Sequence, residues 1–421
     1  MDPPEHPVRR TRLDNGLRLV TEKLPGLRSA SIGFWVGVGA REEPPEWNGA
    51  SHFLEHLLFK GTDRRSAQEI AEAIESIGGD MNAFTAQELT AFTVRVPDDA
   101  VELAIGILTD IMWSPSLRLD EVEAERQVIL EEIRMRDDTP DDLVHDLFSS
   151  ALFPGHVLGR EVLGTRESIT TMPREAISDY HATRYVPGEV VVAAAGNVDH
   201  DRIVELVAAR TPGDVREAPR IPIGSLPAPQ PFAVLDRATE QANVVIGVRG
   251  IARDDPDRYA FTVVDHAFGG GMSSRLFREI RERRGLAYAV YSYRAAYRET
   301  GVFAAYVGTA PEHVDEVLDL VTGELDDLVA NGLSEHELAG SKGNLLGSMA
   351  LSLESSAARM HRIGRAEVTL GEVPTLDELA ARVESVGPDD VARVIDRALR
   401  QAPTIAVVGP FDEGAFATRV A

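Results

Sequence analysis

The 421-residue sequence contains no cysteine and no long apolar segment. Without cysteine, disulfide bonds and thiolate zinc ligands are excluded. No apolar run approaches the roughly 18 residues that a membrane-spanning helix needs, so no membrane span is predicted. The N-terminal residues have no apolar core and include acidic side chains, so neither a secretory signal nor an Arg-rich transit peptide is indicated. These features together predict a cytoplasmic protein.

Positive charge is also scarce. The chain has 43 Lys and Arg residues against 68 Asp and Glu residues, which gives a formal net charge of −25. This balance argues against nucleic-acid binding, which favours a basic surface. An acidic surface could attract basic peptides, or it could serve solubility alone. The hydrophobic content of 43% is that of a globular protein, and the length predicts two or three domains.

The segment from Gly49 to Thr62 predicts a helix that could bind a metal ion. Its apolar residues form a broad stripe, and Gly61 is typical of a helix end. His52 and His56 would lie at positions i and i+4, about 6 Å apart along the axis and on one face, which suits two imidazoles binding one Zn²⁺. Glu55 would share that face, where a carboxylate can accept a proton from a metal-held water. The alternative is an ordinary amphipathic helix with histidines on its surface.

Zinc catalysis requires a third protein ligand, with the fourth position left open for water. A second helix is predicted over Leu119 to Arg136, which contains no Gly or Pro and many good helix formers. Within it Glu125 and Glu132 are seven residues apart, two helical turns, and therefore face the same way. The alternative for this segment is a solvated acidic helix.

These two segments together resemble the motifs of a known family. The pattern His52-x-x-Glu55-His56, followed 76 positions after His56 by Glu132, resembles the inverzincins of the pitrilysin and insulysin family. Within that family the chain is most similar to the catalytic, beta-type subunits of mitochondrial processing peptidase and their bacterial relatives. The resemblance implies one Zn²⁺ per chain, held by His52, His56 and Glu132. It also implies that Glu55 is the general base and Glu125 a supporting carboxylate.

The segment from Asp80 to Val96 predicts two strands that turn near Gln87. The family resemblance implies that Asn82 and Ala83 belong to an edge strand that receives a peptide substrate by β-augmentation. The residues alone favour a plainer role, in which Asn82 shapes a turn.

A Pro-rich segment, residues 212–232, interrupts the middle of the chain and is interpreted as a linker. It separates an N-terminal lobe, residues 1–211, from a C-terminal lobe, residues 233–421. The second half repeats the first, because a strand, a Pro-containing turn and a helix in Thr90 to Asp110 match those in Gly301 to Asp319. No His-x-x-Glu-His occurs in the second half. We therefore predict an α+β fold of two homologous lobes, each a mixed β-sheet packed with helices, with metal only in the first.

The second half carries its own distinctive segment, Phe268 to Tyr288, in which three glycines precede a helix. It lacks the Gly-Lys-Ser/Thr ending of a P-loop and the spacing of a dinucleotide fingerprint, so phosphate binding is a weak interpretation. By the resemblance, Arg281 and Tyr288 contact the substrate near the scissile bond. The chain carries both sets of residues, so we expect a homodimer in which Arg281 and Tyr288 of one protomer serve the zinc of the other. A heterodimer with a paralogue is the alternative.

The sequence therefore predicts a zinc-dependent endopeptidase that hydrolyses extended peptides or presequence-like segments, with Glu55 as the general base. The competing class is a non-catalytic core or assembly subunit, or the inactive partner of a heterodimeric peptidase. Such proteins would be expected to have lost a ligand or the base. Here His52, His56, Glu132 and Glu55 are all present, which favours the enzyme.

Overall fold

The computed structural model describes residues 7–216, 218–222 and 224–416. In the first half of the chain the strands are β1 (Val8–Arg12), β2 (Arg18–Lys23), β3 (Ser29–Val36), β4 (Asp80–Thr85), β5 (Thr90–Pro97) and β6 (Val190–Gly196). The helices of this half are α1 (Ala50–Leu58), α2 (Ala67–Glu75), α3 (Val101–Trp113), α4 (Leu119–Asp137), α5 (Pro140–Leu152), α6 (Arg166–Thr171), α7 (Arg174–Arg184) and α8 (His200–Ala208).

In the second half the strands are β7 (Phe232–Asp236), β8 (Ala242–Gly250), β9 (Ala287–Ala296), β10 (Gly301–Thr309) and β11 (Thr404–Gly409). The helices are α9 (Arg258–Gly269), α10 (Val314–Asn331), α11 (Glu335–Ser352), α12 (Ser356–Leu370), α13 (Leu376–Glu384) and α14 (Pro388–Ala398). A π-helix spans Phe277–Arg283.

Two mixed sheets share one strand order. The first runs β1-β2-β6-β3-β5-β4 and the second runs β7-β11-β8-β10-β9. In each sheet a parallel pair, β2 with β6 or β7 with β11, is followed by antiparallel neighbours. From β2 and β7 onwards the two orders correspond strand by strand. The predicted α+β fold, with one lobe architecture used twice, is therefore confirmed.

Local sequence signals explain where several elements begin and end. Gly16 turns the chain between β1 and β2 with a φ of 92°, a conformation that favours glycine. Ser66 caps α2, because its Oγ accepts from Glu69 N while the Glu69 carboxylate accepts from Ser66 N. This reciprocal pair is a capping box, and it satisfies amide donors at the start of the helix.

The central strand β6 is buried on both faces. Alternate residues from Val190 to Ala195 belong to two different apolar clusters. One cluster includes residues of α1, α3 and α4, and the other includes residues of α12. Because side chains alternate across a sheet, a continuous apolar run is what a strand covered on both faces requires.

Contacts divide the described residues into two compact units that are not contiguous in sequence. The first comprises the described residues of Met1–Arg134, Glu161–Pro222 and Leu351–Thr375, and the second comprises those of Met135–Arg160, Ile223–Ala350 and Leu376–Ala421. Helix α12 therefore packs on the first sheet, and α5 packs on the second. The predicted linear division into residues 1–211, 212–232 and 233–421 differs from these units, because it places α5 in the N-terminal lobe and α12 in the C-terminal lobe. Their physical reason is that each sheet has a second apolar face, which a helix from the other half of the chain covers.

The segment between the halves is irregular, since residues 212–231 form neither helix nor strand where they are described. Of the helices in the described parts of the chain, none combines the length and the apolar character that crossing a membrane requires.

Candidate metal centre

The helix that carries two histidines is held at its start by a buried carboxylate. Glu43, in the loop before α1, accepts hydrogen bonds from Gly49 N and Ser51 N, both at 2.7 Å. Asn48 Nδ2 donates to the same carboxylate at 3.1 Å. Burial raises the pKa of Glu43 to about 7, and these hydrogen bonds act in the opposite direction. Because the first amides of a helix have no partner within it, Glu43 takes the part of an N-cap side chain.

Helix α1 buries its apolar stripe and leaves both histidines at the edge of the core. Phe53, Leu54 and Leu57 are at most 1% exposed. The side chains of His52 and His56 are 12% and 18% exposed, and their ring centroids are 4.7 Å apart. The i, i+4 spacing therefore places both imidazoles side by side on one face of the helix.

Glu132, on α4, joins the histidines in a group of three possible metal ligands. His52 Nε2 lies 3.6 Å from Glu132 Oε2, and His56 Nε2 lies 3.5 Å from Glu132 Oε1. One ligand atom from each residue lies within 4.8 Å of the others. Ligands bound about 2.0–2.1 Å from a tetrahedral Zn²⁺ are roughly 3.3–3.4 Å apart, so these atoms are spaced to fit such an ion.

Two further observations fit a metal ion at this position. Glu132 Oε2 is buried and has no hydrogen-bond partner within the described residues, although buried polar atoms are normally satisfied. Burial, followed by the charge of His56, lowers the pKa of His52 to about 4. His52 is therefore neutral near pH 7, which is the form that binds a metal ion. Two imidazoles and one carboxylate are also a donor set of catalytic zinc sites.

Glu125 contacts His56 from the same helix that carries Glu132. Its Oε2 lies 3.1 Å from His56 Nδ1, and its side chain is 6% exposed. When Nδ1 donates to Glu125, the lone pair of Nε2 is available on the side of Glu132. Lys60 Nζ lies 2.7 Å from the other oxygen, Oε1, of Glu125. Helical spacing placed Glu125 on the same face as Glu132 and the family resemblance gave it a supporting role, whereas no sequence signal indicated Lys60 as part of the site.

Glu55 is held by a different partner from the three ligands. Thr85, the last residue of β4, donates from Oγ1 to Glu55 Oε2 at 2.6 Å. Burial raises the pKa of Glu55, and the hydrogen bond from Thr85 opposes that shift. A carboxylate with a raised pKa beside a metal centre is suited to taking up a proton. Thr85 was not predicted as a site residue, although its position two residues after Ala83, on the predicted edge strand, was a signal for it.

Strand β4 forms one edge of the first sheet. Its neighbour is β5, and no strand lies along its other side in the described parts of the chain. Asn82 is exposed and lies within the strand, not in a turn, and its Oδ1 accepts from Ala83 N at 2.9 Å. A cavity of about 550 Å³ adjoins this edge, with Glu55, Phe59, Ile70, Ile74 and Met81 in its lining. An open edge strand is what β-augmentation requires, and this edge lies beside the candidate general base.

Arg281 and Tyr288 lie against each other in the second unit. The Arg281 guanidinium carbon lies 4.4 Å from the ring centroid of Tyr288 and 4.8 Å from that of Phe277. Arg281 Nη1 also donates to Tyr288 O at 2.8 Å. The arginine belongs to the π-helix, a feature frequent at functional sites. Because Tyr288 is 80% exposed, its side chain is accessible to a ligand.

These observations define a two-lobed α+β protein with a candidate His, His, Glu metal centre in its first unit. A family model described as insulinase (peptidase family M16) matches residues 18–166. A second model, described as the peptidase M16 inactive domain, matches residues 171–345. The chain belongs to peptidase family M16, and the resemblance to the pitrilysin and insulysin family is thereby confirmed. The description of the second domain as inactive agrees with the absence of His-x-x-Glu-His from the second half of the sequence.

Relatives match along nearly the whole chain. An uncharacterized zinc protease of Streptomyces coelicolor is 45% identical over 414 residues, which are 96% of this chain and 90% of the relative. The zinc protease YmxG of Bacillus subtilis is 36% identical over 409 residues, which are 96% and 98% of the two chains. Their names support zinc as the metal of this family.

Two solved structures share the fold. The crystal structure of a protease from Helicobacter pylori has a TM-score of 0.90 at 23% identity and covers 96% of this chain and 99% of that one. A structure described as the peptidase M16 inactive domain from Pseudomonas fluorescens also has a TM-score of 0.90, at 21% identity, and covers 96% and 98%. The two-lobed architecture is therefore common to all three chains.

Proposed function

We propose that this protein is a zinc-dependent endopeptidase that hydrolyses extended peptides. The observation that carries the proposal is the separation of roles at one centre. His52, His56 and Glu132 lie together as possible ligands. Glu55 is on α1 with the two histidines, but its carboxylate accepts a hydrogen bond from Thr85. Catalytic zinc sites have three protein ligands and an open fourth position, and a separate carboxylate beside them can act as the general base.

The residues present would hold Zn²⁺ through His52 Nε2, His56 Nε2 and the Glu132 carboxylate. A bound Zn²⁺ makes water a stronger acid, lowering its pKa from about 15.7 to about 7, and polarises a carbonyl group. Glu55 accepts the proton of the attacking water and returns it to the leaving amine. Thr85 holds one oxygen of that carboxylate, so Glu55 does not have to be ordered during the reaction.

The open edge of β4 is the proposed peptide-binding strand. A substrate in extended conformation would pair with β4, with Asn82 and Ala83 contributing backbone contacts. The Asn82 side chain, which now accepts from Ala83 N, would move aside so that the substrate backbone takes over that bond. The net charge of −25 favours basic or presequence-like peptides, because opposite charge raises their local concentration.

We further propose that the active form is a homodimer in which Arg281 and Tyr288 of a second copy reach the substrate. The support is that this pair is preformed by stacking and leaves Tyr288 accessible. Mixing a His52→Ala chain with an Arg281→Ala chain tests it, since each would supply what the other lacks. Activity above the sum of the separate variants is expected, and no gain would contradict completion by a partner. A heterodimer with a paralogue, and the cytoplasmic location, stay predictions.

The decisive experiment measures zinc content and cleavage of quenched basic peptides for the wild type and Glu55→Gln. Both chains are expected to bind about one zinc each, because Glu55 is not a ligand. The variant should cleave roughly 10²- to 10⁴-fold more slowly, which is the usual contribution of a general base.

A matched pair of variants on α4 tests the third ligand. Glu132→Gln should lose zinc, whereas Glu131→Gln should keep it, because the Glu131 side chain is 63% exposed and pairs with Arg134. Zinc bound without cleavage by the wild type would point to a missing partner or a narrow substrate, whereas a wild type without zinc would favour the alternative of a non-catalytic assembly subunit. Absence of zinc from the wild type would overturn the metal centre itself.

A further inference from the structure

Lys60 ends a chain of contacts that leads to the metal centre. It lies two residues after the end of α1, and its backbone N–H donates to Leu57 O at 3.0 Å. Its Nζ lies 2.7 Å from Glu125 Oε1, while Glu125 Oε2 lies 3.1 Å from His56 Nδ1. The two oxygens of one carboxylate therefore join a lysine to a candidate zinc ligand.

The burial of Glu125, which links Lys60 to His56, indicates that Lys60 has more than a surface role. The Glu125 side chain is 6% exposed, and that of Lys60 is 34% exposed. A buried carboxylate is costly unless a cation or hydrogen-bond donors compensate it. Lys60 is that cation here. Without it, Glu125 would have to recover solvent by rotating outwards, away from His56.

The choice of lysine has a geometric consequence. Only three of the 43 basic residues in the chain are lysines, namely Lys23, Lys60 and Lys342. An ammonium group is a compact charge, whereas a guanidinium tends to take both oxygens of a carboxylate. A lysine at position 60 contacts Oε1 and leaves Oε2 to accept from His56.

We propose that Lys60 is a positioning residue of the metal centre, which acts through Glu125 to hold His56 with Nε2 on the side of Glu132 and so strengthens zinc binding. This proposal rests on the metal centre of the proposed function. It does not depend on peptidase activity, so a chain that binds zinc and cleaves nothing still tests it.

The experiment measures the zinc dissociation constant of the full chain by competition with a chromophoric chelator. Lys60→Met is expected to weaken zinc binding about tenfold, and Glu125→Gln about 10- to 100-fold, the range for groups that orient metal ligands. The double variant should bind no more weakly than Glu125→Gln, because Lys60 acts through Glu125 and the two effects are not additive. Lys60→Arg keeps the charge and should lose less affinity than Lys60→Met.

Lys23→Met is the matched control, because it removes one exposed lysine charge at the end of β2. It should leave zinc affinity unchanged. An unchanged dissociation constant for Lys60→Met, with or without a lower melting temperature, would overturn the proposal. Fully additive losses in the double variant would overturn it too, because Lys60 would then act independently of Glu125. Lys60→Gln provides the same comparison if the Met variant does not fold.

Discussion

Phe148 is expected to stabilise the second unit although it belongs to the first half of the chain. It lies on α5, is 0% exposed and packs in a cluster with residues of β8, β10 and β11. We predict that Phe148→Ala destabilises the second sheet in preference to the first.

The magnitude follows from the burial of the ring. Replacing a fully buried phenylalanine with alanine loses transfer free energy and leaves a cavity, at a cost of about 3–5 kcal/mol. Since every 1.4 kcal/mol is a factor of ten, the equilibrium constant for opening the second unit should rise roughly 10²- to 10⁴-fold.

Hydrogen–deuterium exchange of the folded chain, read by mass spectrometry, measures this effect strand by strand. Amides of β8 and β10 should exchange faster in Phe148→Ala, with smaller changes in β3 and β5. Phe92→Ala is the matched control, because Phe92 is also 0% exposed but lies on β5 in the core of the first sheet. It should produce the reverse pattern.

If Phe148→Ala accelerated exchange in β3 and β5 and left β8 and β10 unaffected, the assignment of α5 to the second sheet would be refuted. Equal acceleration in both sheets by both variants would show that the two units open together. Phe148→Leu removes less volume and provides the same comparison if the alanine variant does not fold.

Two further predictions concern single hydrogen-bonded groups. Thr85→Val removes the donor to Glu55, so we expect kcat for peptide cleavage to fall about tenfold, with KM and zinc content little changed. Thr85→Ser keeps the donor and should retain the wild-type kcat. Equal kcat values for the Val and Ser variants would contradict this role. Although burial raises the pKa of Glu337, hydrogen bonds from Arg275 and Ser334 outweigh it and hold that pKa at about 2, below its unfolded value of 4.5. The resulting stabilisation is present above pH 4.5 and is lost as the pH falls towards 2. Glu337→Gln should therefore lower the free energy of unfolding by about 1 kcal/mol at pH 7, after allowance for solvent screening, and by less at pH 3; a difference independent of pH would count against the ion pair.

Helix α1 of the candidate metal centre could be predicted from sequence because its signals are local. His52, Glu55 and His56 lie within five residues, so helical periodicity alone places them on one face. The capping box of α2 and the glycine turn before β2 are local in the same sense. Each depends on residues that are only a few positions apart in the sequence.

The role of Glu132 could not be predicted from local periodicity, because Glu132 lies 76 positions after His56 in the chain. Helical spacing showed that Glu125 and Glu132 face the same way, but it left a solvated acidic helix as an alternative. The family resemblance selected Glu132, and the fold brings its carboxylate to 3.5 Å from His56. No rule of local structure connects two helices that far apart in the chain.

Thr85 and Lys60 were beyond the sequence analysis for the same physical reason. Thr85 reaches Glu55 because β4 runs beside α1, and Lys60 reaches Glu125 because α4 packs on the end of α1. A threonine at the end of a strand and a lysine after a helix are common in any sequence. The roles of Thr85 and Lys60 depend on the carboxylates, Glu55 and Glu125, that they contact in the folded structure.

The sequence by itself indicated several helices and strands, the repeat of one α+β lobe and the absence of a second metal motif, because these follow from periodicity and from the pattern of residues along the chain. The tertiary structure alone decided which helix covers which sheet. Helices α5 and α12 pack on the sheet of the other half because each sheet has a second apolar face to bury. It also decided which carboxylates lie beside the histidines. An apolar face must be buried, but its own sequence does not specify which segment of the chain buries it.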